Sequence, residues 1–104
     1  MRTLLITDTS FLDHDTGPYH PERPARLESV LQGLSQPSFN DLQRAEAQPV
    51  AREDVARVHP GAYFDMLTSA IPAEGLKHLD GDTVVSPGSA AAMTRAARFR
   101  TAPK

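Results

Sequence analysis

The sequence predicts an α/β chain: a mainly parallel sheet flanked by helices, of which these residues supply only a part. Residues 3–7 (Thr3-Leu4-Leu5-Ile6-Thr7) form an apolar, β-branched run, the pattern of a strand buried on both faces. After Pro24, Leu27, Val30, Leu31 and Leu34 recur at helical spacing. Residues 41–47 then read as a weak second strand carrying Leu42, Ala45 and Ala47. Strand, helix, strand implies a parallel pair joined by a right-handed crossover. Two parallel strands leave both edges open and are marginal alone, so the expected sheet is incomplete.

Between the first strand and the first helix, residues 8–22 lack a helical period and contain Gly17-Pro18, a turn signal. Pro24 suits the first helical position and forces Arg23 to be extended. Gly33 weakens the end of that helix and Pro37 stops it. Residues 52–58 read as a helical turn, and Pro60 starts a further helix in which Tyr63, Met66, Leu67 and Ala70 share a face; Pro72 and Gly75 close it. Residues 79–89 read as a short extended stretch running into a loop. Ser86 or Ser89 is placed to cap a last, alanine-rich helix over residues 90–97. There is no internal repeat and no interdomain linker.

Composition narrows the function classes. The 104 residues are 39% hydrophobic and 23% charged, within the globular range. Aromatic residues are 6% and Trp is absent, so the expected core is aliphatic. With a net charge of -2 and no basic block before Arg95, Arg98, Arg100 and Lys104, a nucleic-acid partner is not expected. The lack of cysteine excludes a disulfide framework and thiolate chemistry. No run is long enough for a signal segment or a membrane span. The expectation is a soluble, cytoplasmic chain without a membrane partner.

Chemistry-bearing residues concentrate in residues 14–27, where two histidines, three prolines and four charged side chains fall within one stretch. Prolines that fix a loop's path allow its polar groups to be aimed. His14, His20, His59 and His78 could join Asp13, Asp15, Asp80 or Asp82 around a divalent ion, but none has the spacing of a metal motif. Asp80-Gly81-Asp82 resembles part of an EF-hand loop without its later ligands; a tight turn in which Asp82 bonds backbone amides near Thr83 is the simpler reading. Ser86 and Ser89 lack a nucleophile elbow and read as caps. Arg23 and Arg26 stand in the first helical turn, where the helix dipole disfavours cations. They call for an anionic partner: Glu22, Asp13, Asp15 or a ligand carboxylate. Arg26, next to the apolar stripe, is the one expected to point inward, where it must be paired.

The string His14-Asp15-Thr16-Gly17-Pro18-Tyr19-His20-Pro21-Glu22-Arg23-Pro24-Ala25-Arg26-Leu27 resembles the N-terminal signature of the histone deacetylase family, whose bacterial branch includes acetylpolyamine amidohydrolases and acetoin-utilisation proteins. Val58-His59-Pro60-Gly61-Ala62-Tyr63 and the stretch 79–92 resemble two further family blocks in the same order. The resemblance implies an arginase/deacetylase-like three-layer fold with a mainly parallel sheet, and zinc-dependent hydrolysis of an acetyl amide such as acetyl-lysine or acetylpolyamine. It implies that residues 1–97 are the N-terminal part of such a domain and 98–104 a divergent tail. By the same resemblance, His14, Asp15, Gly17, His20, Pro21 and Glu22 belong to the loop forming the rim and wall of the substrate channel. Arg26 matches the arginine near the inner end of that channel, and Asp82 and Thr83 are structural. The family's zinc ligands, histidine pair and tyrosine fall beyond the matched stretch. The expectation is therefore a truncated family member, inactive alone, with no catalytic or metal residue and no cofactor of its own. Its partner would be the missing remainder of the enzyme or a second copy. The alternative is a non-catalytic binding or assembly module whose open strand edges pair with a partner.

Overall fold

A computed structural model describes residues 3–98. Strand β1 (Leu4–Thr7) runs parallel to β2 (Gln43–Glu46), with Leu5 opposite Arg44 and Ile6 opposite Ala45. Helix α1 (Pro24–Leu34) makes the crossover between them, as the strand–helix–strand order predicts. Arg23 is extended at φ -156° and Pro24 opens the helix. At the other end Arg44 Nη2 donates to the Leu34 carbonyl at 2.8 Å, satisfying one of the acceptors a helix end leaves open and tying α1 to β2. The helix stops at Leu34, before Pro37, with Ser35 as its C-cap.

Elsewhere the structure departs from the sequence reading in ways that local chemistry explains. Residues 8–22 are not all loop: Thr9–Asp13 is a 3-10 helix, capped by the Asp8 carboxylate, which accepts from Ser10 N–H at 2.9 Å. Strand β1 is not buried on both faces; Leu4 is 37% exposed, and among the described residues its sheet has two strands. Helix α2 is a single turn (Arg52–Val55), and α3 is Gly61–Ala70. Leu67 and Ala70 of the apolar face are half-buried, Tyr63 and Met66 are exposed, and Phe64 is half-buried beside them. Arg52 holds Asp65 through two hydrogen bonds of 2.9 and 2.8 Å, fastening α2 to α3.

Residues 77–85 form a hairpin rather than an extended run: β3 (Lys77–His78) pairs antiparallel with β4 (Val84–Val85). The turn is organised by Asp80, not Asp82, since the Asp80 carboxylate accepts from Asp82 N–H at 2.8 Å. Helix α4 spans Ser89–Ala96 and is preceded by Gly88; neither Ser86 nor Ser89 caps it with a side chain. The alanine-rich helix packs against the 3-10 helix, and Gly88 makes this approach possible. A Cβ there would lie 2.6 Å from Asp13 Cβ and closer still to the Asp13 carbonyl oxygen. Val50 N–H donating to Thr94 O (3.0 Å) joins α4 to the segment after β2.

Among the described residues the buried apolar set is small: Ala47, Val84, Val85 and Ala92, with no large side chain fully enclosed. The radius of gyration, 15.4 Å, exceeds the ~13 Å of a self-contained domain of about this length. Open edges on two two-stranded sheets, together with half-exposed helix faces, leave apolar surface without cover. Among the described residues no helix is long and apolar enough to cross a membrane. The expected tail lies, beyond Arg98, outside the described residues.

Three carboxylates lie below their ordinary range: Asp8 through the Ser10 backbone N–H with a further pull from Arg95, Asp65 through Arg52, and Asp80 through the Asp82 backbone N–H. Each favours the folded, ionised state, so the contribution is complete above the unfolded value of 3.8 and is lost as pH falls through the lower folded values. Thermal stability is expected to decline on acidification below that value, and Asp8→Asn to flatten part of the decline. Melting curves across the acid range check both.

Candidate functional site

The loop after the 3-10 helix is fixed by its own side chains. Gly17, at φ 95°, takes a backbone conformation that a side chain would strain, and its N–H donates to Asp15 Oδ1 at 2.9 Å. The buried Thr16 hydroxyl donates to the Glu22 carbonyl, drawing the two arms of the loop together. His20 sits between them: Nδ1 accepts from Glu22 N–H at 3.0 Å, so Nε2 carries the ring proton and donates to the Asp82 carbonyl at 2.7 Å. One imidazole thus latches the loop to the β3–β4 turn, 62 positions away. Pro18 and Tyr19 form the exposed tip; Tyr19 is 97% accessible.

A second anchorage lies under the loop's beginning. His14 Nδ1 is 2.6 Å from Ser89 Oγ, at the start of α4. Asp15 N–H donates to Ser86 Oγ at 3.0 Å, and Ser86 N–H donates to Ser89 Oγ at 2.8 Å. Both serines are buried, at 4% and 3% exposure. Neither caps α4 with its side chain; their hydroxyls hold the loop instead. Nothing in the sequence marks this pairing, because its halves are more than 70 positions apart.

Three depressions adjoin these anchors. An apolar groove of about 450 Å³ is lined by Phe11, Leu67, Ile71, Val85 and Met93, with His14 and Ser89 at its wall. Between the loop tip and the hairpin, a cleft of about 550 Å³ is lined by Pro18, Tyr19, His20, Leu76 and His78 among others. A smaller cleft of about 150 Å³ is formed by Phe11, His14, Glu22, Arg23, Arg26 and Leu27. His14 therefore borders two of the three.

Of the sequence-derived residues, His14, Glu22 and Arg26 meet around the smallest cleft, and Pro21 and His20 line the largest. Arg26 is not buried as expected: its side chain is 63% exposed and pairs with Glu22 at 3.4 Å. The i,i+4 geometry supplies the anion that the helix start calls for, and solvent relieves any need for full burial. His59 stands apart, its ring 5.4 Å from that of Tyr63. No three His, Asp or Glu side chains among the described residues come together as a metal-binding group.

Against known proteins, no family model matches the chain. It is 37% identical over 89 residues to the uncharacterized protein slr0245 of Synechocystis sp. (strain ATCC 27184 / PCC 6803 / Kazusa), a match covering 82% of this chain and 29% of that one. Among solved structures it is similar to the HDA15 HD domain, with a TM-score of 0.80 and 21% identity over 92% of this chain and 29% of that chain. The chain thus spans under a third of the length of either protein. Over that span, the likeness supports a histone deacetylase-like fold.

Proposed function

We propose that residues 3–98 are one part of a deacetylase-like amidohydrolase, contributing the first strand, the loop that walls the substrate channel and the helices behind it. The single observation carrying this reading is the backbone likeness to the HDA15 HD domain across 92% of the chain. The loop architecture fits it: His14, Asp15, Gly17, His20, Pro21 and Glu22 lie in a segment pinned at both ends, a wall that keeps its shape when one face opens to a ligand. Arg26 and His14 border the small cleft behind that wall, where Arg26 would serve the inner channel. The substrate class would be an acetylated amine, and the protein would work in the cytoplasm.

Among the described residues no three His, Asp or Glu side chains come together, so in this reading the zinc ligands come from elsewhere in the domain. This region's part in the reaction is to bind and orient, and to shield the channel from water. The purified chain is expected to retain no stoichiometric zinc and to leave an acetyl-lysine reporter uncleaved. Zinc-dependent turnover by the chain alone would overturn that.

A second reading, a binding or assembly module, is favoured by one observation: the apolar groove and open strand edges are uncovered. Its partner would be the remainder of a deacetylase-like domain or another copy of the chain. Gel filtration distinguishes the two. Co-elution with the rest of the Synechocystis relative, beyond its matched segment, supports the first; self-association that ignores this fragment supports the second.

A further inference from the structure

The serine pair does more than fasten the loop. Five polar contacts converge on it: His14 Nδ1 to Ser89 Oγ (2.6 Å), Ser86 N to Ser89 Oγ (2.8 Å), Asp15 N to Ser86 Oγ (3.0 Å), Ser86 Oγ to Ser89 Oγ (3.3 Å) and Ser86 Oγ to Asp13 O (3.4 Å). Two backbone N–H groups and two hydroxyls supply four protons. The fifth can come only from His14.

With Nδ1 protonated, every contact is a hydrogen bond. His14 Nδ1–H and Ser86 N–H donate to Ser89 Oγ, whose own proton goes to Ser86 Oγ. Ser86 Oγ also accepts from Asp15 N–H and passes its proton to the Asp13 carbonyl. With Nδ1 bare, the Ser89 hydroxyl must turn to His14. Either the two buried serine oxygens then face each other through lone pairs, or the Asp13 carbonyl, pressed against Gly88, loses its donor. Unmade hydrogen bonds at groups shielded from water, as the serine pair is fully and the Asp13 contact in part, are penalised.

We propose that Ser89 and Ser86 are positioning residues that hold His14 in the Nδ1–H tautomer, leaving Nε2 as a bare acceptor nitrogen at the wall of the clefts it borders. Nε2 has no hydrogen-bond partner among the described side chains. The ligand group it suits is a hydrogen-bond donor: a hydroxyl, an amide N–H or an ammonium. A ring nitrogen whose partner nitrogen is fixed by a hydrogen bond is oriented and chemically defined. His20 is the opposite case, with both nitrogens engaged inside the fold. That the bare nitrogen faces a substrate rests on the reading above; the tautomer itself does not.

Long-range proton–nitrogen correlation spectra of the ¹⁵N-labelled chain test this, at about pH 8 where imidazoles are ordinarily neutral. His14, identified by the signal lost in His14→Gln, is expected to show a protonated Nδ1 and a bare Nε2. His20 is expected to show the reverse. Ser89→Ala should shift His14 toward the Nε2–H form that free imidazole side chains favour, and Ser89→Thr should restore the original pattern. A second measurement needs no variant: diethyl pyrocarbonate should acylate His14 several-fold faster than His20. The bare nitrogen forms the N–C bond, one anhydride C–O bond breaks, and the ring proton leaves with the ethyl carbonate, which falls apart to ethanol and carbon dioxide. An Nε2–H pattern for His14 in the unmodified chain, or equal labelling of the two histidines, would overturn the assignment. A correct tautomer beside a failed acetyl-amide reading would leave the lock standing and remove its substrate.

Discussion

Gly88→Ala is expected to destabilise the fold by about 1–3 kcal/mol, the range for forcing a methyl into a filled contact. Gly88 has φ -81°, so the cause is not backbone conformation. The new Cβ would meet the Asp13 carbonyl and Cβ, and neither can rotate away because both belong to backbone or its first side-chain atom. Relief would have to come from moving α4 off the 3-10 helix, which also separates Ser86 and Ser89 from the loop. Gly33→Ala is the contrasting change: nothing lies within 4 Å of its missing Cβ, and alanine in a helix is favoured over glycine by roughly 0.5–1 kcal/mol. Urea midpoints of the two variants should move in opposite directions.

The second large effect is expected at Ser86. Replacing it with alanine strips the acceptor from Asp15 N–H and the hydroxyl from the Asp13 carbonyl, and it leaves Ser89 Oγ with one neighbour fewer. These contacts are part-buried, so their loss costs about what a hydrogen bond contributes, about 0.5–1.5 kcal/mol each. Ser69→Ala, on an exposed position of α3, should change stability by less than about 0.5 kcal/mol. Equal effects at the two serines would mean that the network does not hold the loop.

What was legible in the sequence follows from what is local. Pro24 and the leucine stripe define α1 within a few positions, and the β1–α1–β2 order gives the parallel pairing. The hairpin was not legible: Lys77–His78 is polar and two residues long, and it pairs only because Asp80 folds the turn back. Tyr63, Met66, Leu67 and Ala70 carry the helical period of α3, yet Tyr63 and Met66 stand exposed; periodicity finds an apolar face without saying whether anything covers it. Arg26 shows the converse, since its position beside the stripe suggested burial while a solvent-exposed ion pair with Glu22 suffices. The loop's residues were found through their density of prolines and titratable groups. Their anchors, Ser86, Ser89 and the Asp82 carbonyl, were not, for no sequence spacing links groups that meet only in the folded chain.

Under the proposed function, the uncovered apolar surface is the seat of the rest of a deacetylase-like fold. Amide hydrogen exchange tests it most directly, comparing the chain alone with the chain mixed with the remainder of the Synechocystis relative. In the mixture, slowed exchange is expected at α3 and α4, which carry Leu67, Ala92 and Met93 along the apolar groove, with Ile71 just beyond the end of α3. Alone, these helices should exchange far faster than the β1–β2 pair. Full protection of α3 and α4 in the chain alone, unchanged by the added fragment, would contradict the claim.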